Sequence, residues 1–184
     1  MSEEEKKLIE GCVAGDPSCQ KRLYMEYGPM IKGICTRYTA GTEDAEDLFH
    51  DTFLFILVNF PHYNKITSLG AWLRRITINR AIDHYRRRSR RKTAYLDDLE
   101  LDPGFEAAPL NEYLTMDKLV GFINELPDKY RTAFNLYVID GMEQEKMAEV
   151  MGETPTNIRT LVFRARQTLQ KKINRYLNHE EFRI

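Results

Sequence analysis

The 184-residue sequence has little of what marks an enzyme, a secreted protein or a membrane protein. Cysteine occurs three times, as Cys12, Cys19 and Cys35. The number is odd and the spacing is not that of metal ligands, so the thiols read as reduced and structural. No apolar run approaches the length of a membrane span, and the opening Met-Ser-Glu-Glu-Glu carries the wrong charge for a secretory signal. A cytoplasmic protein without membrane insertion is therefore expected. Glycine-rich phosphate loops and nucleophile–base pairs are missing, which points away from enzymes and from any cofactor. Asp47 and His50 lie three apart on one expected helix, but His62, His84 and His179 bring no matching carboxylate–histidine pair, so no metal is expected. An enzyme here would have to be a metal-dependent nuclease built on Asp44, Asp47 and Asp51, and it ranks far below the binding functions.

A large net charge is also missing: 27 Lys and Arg against 28 Asp and Glu leave −1. The balance hides segregation. Residues 1–60 are acidic, 74–92 densely basic, 97–117 acidic again, and the C-terminal segment basic. Such blocks suit surfaces for different partners, the basic ones facing a polyanion.

Strand signals are sparse and helix signals plentiful. Asp16-Pro17 is a cap followed by a first-turn proline, and Leu23, Tyr27, Met30, Ile31, Ile34 and Tyr38 form an apolar stripe to about residue 38. After Gly41 a second helix starts near Glu43, carries Ala45, Leu48, Phe49, Phe53, Ile56 and Leu57, and stops at Pro61. Its outward face opens with Glu43, Asp44, Glu46, Asp47, His50 and Asp51; part of that acidity answers the helix dipole, and the rest is either a solvated face or a docking surface. Ser68 caps a third helix through Trp72, Ile76, Ile78, Ile82 and Tyr85 into the basic run 86–92. Its polar side holds Arg74, Arg75, Asn79, Arg80 and Asp83. Aromatics interleaved with arginines suit single-stranded or melted nucleic acid, although Trp72 serves a core equally well. Residues 93–111 lack periodicity and read as an acidic linker.

The stretch 154–166 reads as a recognition helix. Thr154 caps it, Pro155 takes the first turn, and Ile158, Leu161, Val162, Ala165, Leu169 and Ile173 make a buried face. Thr156, Asn157, Arg159, Thr160, Phe163 and Arg164 remain on the other side, residue types that meet base edges and phosphates. A shorter helix, 143–151, precedes it, and the spacing Ala148, Gly152, Ile158, Leu161 is that of a helix-turn-helix. Upstream, an apolar pattern begins at Leu114, stops at Leu126-Pro127, resumes at Tyr130 and turns at Gly141.

Three stretches then carry a family resemblance. Residues 44–53 (Asp-Ala-Glu-Asp-Leu-Phe-His-Asp-Thr-Phe), 71–83 (Ala-Trp-Leu-Arg-Arg-Ile-Thr-Ile-Asn-Arg-Ala-Ile-Asp) and 126–166 resemble regions 2.2, 2.3–2.4 and 4 of bacterial RNA polymerase sigma factors, of the small extracytoplasmic-function (ECF) group. The resemblance implies an all-α protein of two small helical domains, a region 2 domain at 1–92 and a region 4 domain at 112–184, joined by a flexible linker at 93–111. It implies binding to core RNA polymerase through Asp47, His50 and Asp51. The minus-ten promoter element would be read by Trp72, Arg75, Asn79, Arg80, Asp83, Arg86 and Arg87, with a flipped base received by the loop 62–67 and its Asn64. The minus-thirty-five element would be read by Thr156, Asn157, Arg159, Thr160, Phe163 and Arg164. Expected partners are core polymerase, promoter DNA and an anti-sigma factor, which the family commonly has; the expected role is promoter-directed initiation that nucleates melting. Three positions depart from the pattern: Leu161 replaces a usual basic residue, Glu143 a usual Ser or Thr cap, and His50 a usual Gln or Glu. The competing function is a stand-alone dimeric helix-turn-helix regulator.

Overall fold

A computed structural model describes residues 1–60, 67–91 and 114–181, the side chains of 90, 91 and 179–181 excepted. The protein is all-α, with no strand among the described residues. Contacts divide it into two units, Met1–His84 and Tyr85–Ile184. The linker expected at 93–111 lies outside the described residues.

The first unit opens with α1 (Glu3–Val13), which the apolar pattern alone does not announce. Its start is specified by a capping box: the Glu5 N–H donates to Ser2 Oγ at 3.1 Å and the Ser2 N–H to Glu5 Oε2 at 2.7 Å. Leu8 and Cys12 are its buried face. Gly15, at φ +77°, turns the chain into α2 (Pro17–Tyr38), where Asp16 Oδ1 accepts the Ser18 N–H at 2.9 Å. α3 (Thr42–Asn59) follows, with Glu43 and Asp44 in its first turn, where the helix dipole favours them. α4 (Leu69–Arg91) begins after Ser68 and contributes its residues up to His84 to this unit. Leu23 and Ile31 of α2, Leu48 and Ile56 of α3, and Leu69 and Leu73 of α4 are buried to 5% exposure or less and form the core.

In the second unit α5 (Met116–Asn124) and α6 (Asp128–Phe134) meet at a corner closed by Arg131. α6 continues as a π-helical turn, Asn135–Ile139, closed by the Asp140 N–H on the Asn135 carbonyl at 2.9 Å. Gly141, at φ +67°, ends it. α7 (Gln144–Met151) and α8 (Pro155–Glu181) then form the helix-turn-helix. Gly152 caps α7 in the left-handed region at φ 68° and ψ 38°, a conformation that costs a Cβ-bearing residue. Met147, Ala148 and Met151 of α7 are buried, as are Ile158, Leu161, Val162, Ala165 and Leu169 of α8. The helix-turn-helix spacing read from the sequence is thus the core of this unit.

Candidate nucleic-acid interface

Thr154 Oγ1 accepts the Asn157 N–H at 3.2 Å and so starts α8, whose first three turns carry the expected readout residues. Thr156, Arg159 and Phe163 are exposed, Phe163 at 47%. Asn157, Thr160 and Arg164 are half-buried. Arg159 Nε donates to Gln144 Oε1 at 2.8 Å, and Asn157 Nδ2 donates to Glu153 Oε2. Thr160 Oγ1 donates back to the Thr156 carbonyl at 3.2 Å, which leaves its methyl group as the free end. Arg164 differs from Arg159: Nη1 reaches Tyr130 Oη at 3.4 Å and Nε is buried, so only part of the guanidinium faces outward. Leu161 is 4% exposed. Its side chain belongs to the core, which accounts for the apolar residue at that position. Arg166, left out of the expected set, is exposed seven residues beyond Arg159, with its guanidinium 5.9 Å from the Tyr137 ring.

On α4 Arg74, Arg75, Asn79, Arg86 and Arg87 are exposed, with Asp83 half-buried. Spacing of four from Arg75 through Asn79 to Asp83 puts these on one stripe. Two expected members sit elsewhere. Trp72 is 6% exposed and its ring stacks on Phe60 at 5.2 Å, so here the core claims it. Arg80 lies with its guanidinium 4.9 Å over the Phe55 ring, and its Nε is buried. In the second unit, Arg86 Nε donates to the Val150 carbonyl at 2.6 Å. Asn64 falls outside the described residues.

α3 carries a third surface. Glu43, Glu46, Asp47, His50, Asp51, Leu54 and Val58 are all exposed. At 3.6 residues per turn they fall within about 140° of arc, so they form one face. Its first half is acidic. Its second half is apolar, with Leu54 61% and Val58 69% exposed. Both lie in phase with Asp47, at i+7 and i+11, a signal present in the sequence but outside the apolar stripe of Ala45, Leu48, Phe49, Phe53, Ile56 and Leu57. The His50 ring sits edge-on to Phe49 at 5.5 Å.

Residues 23–91 match the family described as Sigma-70 region 2, and residues 116–169 match Sigma-70, region 4. The ECF RNA polymerase sigma factor SigM of Bacillus subtilis is 30% identical over 160 residues, which span 86% of this chain and 97% of that one. The chain belongs to the ECF RNA polymerase sigma factors. The ECF RNA polymerase sigma-E factor of Haemophilus influenzae is 27% identical over 180 residues, 92% of this sigma factor and 95% of its relative. Its fold is similar to that of the sigma factor RpoE of Bartonella quintana, solved in complex with the anti-sigma factor NepR, with a TM-score of 0.50 at 22% identity over 84% of this chain and 96% of that one. The region 2 match runs from within α2 through α3 and α4, and takes in the acidic–apolar face and the exposed arginines of α4. The region 4 match runs from α5 into α8 past Arg166. Among the described residues no helix is long and apolar enough to cross a membrane.

Proposed function

We propose that this ECF sigma factor binds core RNA polymerase and directs it to specific promoters, docking through Asp47, His50 and Asp51 on α3, with Leu54 and Val58 continuing that contact. α4 reads the minus-ten element through Arg75, Asn79, Asp83, Arg86 and Arg87, with Asn64 receiving a flipped base; Trp72 and Arg80 support that helix from behind. α8 reads the minus-thirty-five element in the major groove through Thr156, Asn157, Arg159, Thr160, Phe163 and Arg164. The domains that carry these roles are residues 1–92 and 112–184. The protein acts in the cytoplasm, where polymerase and DNA are, and an anti-sigma factor, as in the Bartonella complex, is its third partner.

The observation that carries the reading is the outward face of α8, where Thr156, Arg159 and Phe163 stand exposed on a helix locked by a glycine turn. Energetics set the division of labour with polymerase. Each stacking step lost on opening DNA costs about 1.4 kcal/mol, so melting some ten pairs costs about 14 kcal/mol. A base stacked on an aromatic ring returns only about 1 to 3 kcal/mol. The sigma factor therefore nucleates opening and captures a base or two, and polymerase holds the bubble.

The test is run-off transcription from genomic fragments with core polymerase alone and with core plus the purified chain. Specific transcripts that need the chain support the reading. No transcripts, together with tight duplex binding by the chain alone, would replace it with the dimeric regulator.

A further inference from the structure

Two side chains proposed to read DNA are held by neighbours rather than left loose. Arg159 gives its Nε hydrogen to Gln144 Oε1, 2.8 Å away in the first turn of α7. Asn157 gives an Nδ2 hydrogen to Glu153 Oε2 in the turn before α8. Each acceptor occupies the part of the reader that base recognition does not use. A guanidinium tied at Nε keeps both terminal amino groups, the end-on pair that reaches guanine O6 and N7. An amide tied through one Nδ2 hydrogen keeps its second hydrogen and its Oδ1, the donor and acceptor that adenine N7 and N6 require. A carboxylate accepts only, so Glu153 also rejects the flipped amide that would turn Oδ1 inward. Its negative charge would repel nearby phosphates if unmatched. Lys129 Nζ sits 2.6 Å from Glu153 Oε1, with the Glu153 side chain 18% and the Lys129 side chain 35% exposed, and offsets it.

We infer that Gln144 and Glu153, the latter neutralised by Lys129, are positioning residues that set Arg159 for a guanine and Asn157 for an adenine in the upstream element. The inference rests on the reading of α8 as the upstream-element helix. A long side chain free to rotate loses rotamer freedom when it meets a base; one already held loses less. Because phosphate contacts supply most of the affinity and base contacts the choice of sequence, removing a holder changes the choice more than the affinity.

The test uses holoenzyme assembled from the full chain and core polymerase, offered a pool of promoter fragments randomised across the upstream element and read by sequencing the retained DNA. The wild type enriches a guanine at one position and an adenine at another. Arg159→Ala removes the guanine preference, a drop of about tenfold. Gln144→Ala lowers the guanine preference about threefold, a fraction of the full contact, and leaves the adenine preference and the total DNA retained as they were. Glu153→Ala does the reverse. Gln144→Glu, which keeps an acceptor facing Nε, restores the guanine preference. If Gln144→Ala and Glu153→Ala match the wild type while Arg159→Ala still loses guanine, the holders have no such role and the reading of α8 stands. If Arg159→Ala and Asn157→Ala change nothing, the reading of α8 fails and the inference with it. Loss of both preferences together with a lowered melting temperature in either holder variant marks a merely structural role and also overturns it.

Discussion

Burying a guanidinium is expensive, and Arg131 shows what offsets it. At 2% exposure it donates through Nη1 to the Asn124 and Leu126 carbonyls, at 2.9 and 3.0 Å, and through Nη2 to Asp128 Oδ1 at 2.5 Å. It thereby satisfies the last carbonyl of α5 and that of Leu126 just beyond it. Removing one partner of such an arrangement costs more than the arrangement is worth, because the groups left behind are buried. Arg131→Ala is expected to destabilise the second unit by about 3 kcal/mol, the low end of the range since Asp128 is partly solvated; a thermal melt of the full chain checks it. The thiols give a second prediction at this scale. Burial pushes Cys35 up to about 12 and Cys12 up to about 11. A raised thiol pKa leaves little thiolate at pH 8, and thiolate is the form that alkylates. The hydrogen bond to Asp16 raises Cys19 as well, but Cys19 is only half-buried, so mass spectrometry after iodoacetamide at pH 8 should find it modified first in the native protein, and Cys12 and Cys35 modified only in denaturant. Modification of Cys35 in the native protein would contradict its packing.

Among the elements, most were legible in the sequence because each carries its own punctuation. Asp16-Pro17, Ser68, Thr154-Pro155 and Gly152 mark their helix ends through local chemistry, and the structure places those ends where the residues put them. α1 is hard to read from the sequence because Ser2 and Glu5 register as charge and composition before they register as a capping box. The π-helical turn was invisible, since one extra residue per turn has no propensity signature. Trp72 was ambiguous for a different reason: an indole suits a core and a nucleobase equally, and only Phe60 stacked against it decides between them in this structure. The holder of Arg159 depends on a side chain fifteen residues away meeting it in space, which spacing along α8 does not encode, whereas Glu153 lies only four residues before Asn157. At the helix-turn-helix the glycine gives the sharpest test. Gly152→Ala puts a Cβ into the left-handed region and should cost about 1 to 2 kcal/mol. It should also weaken upstream-element recognition, since the entry of α8 depends on that turn; equilibrium denaturation and run-off transcription measure the two effects separately.

For the molecule as a whole, the near-zero net charge and the bubble energetics lead to the same expectation. The isolated chain should bind promoter duplex weakly, and specific binding should appear only with core polymerase, as a mobility-shift titration with and without core will show. Asp47→Arg should abolish co-elution with core polymerase on a sizing column while circular dichroism keeps its helical signal. Retained co-elution would remove α3 from the interface.

The two halves of the α3 face also answer differently to ionic strength. Carboxylates that attract a basic partner are screened at high salt, where the Debye length falls to about 3 Å at 1 M. Leu54 and Val58 lose nothing to screening. A complex held by both should assemble faster in dilute buffer yet persist through a high-salt wash, and Leu54→Ser with Val58→Ser should turn that persistence into release.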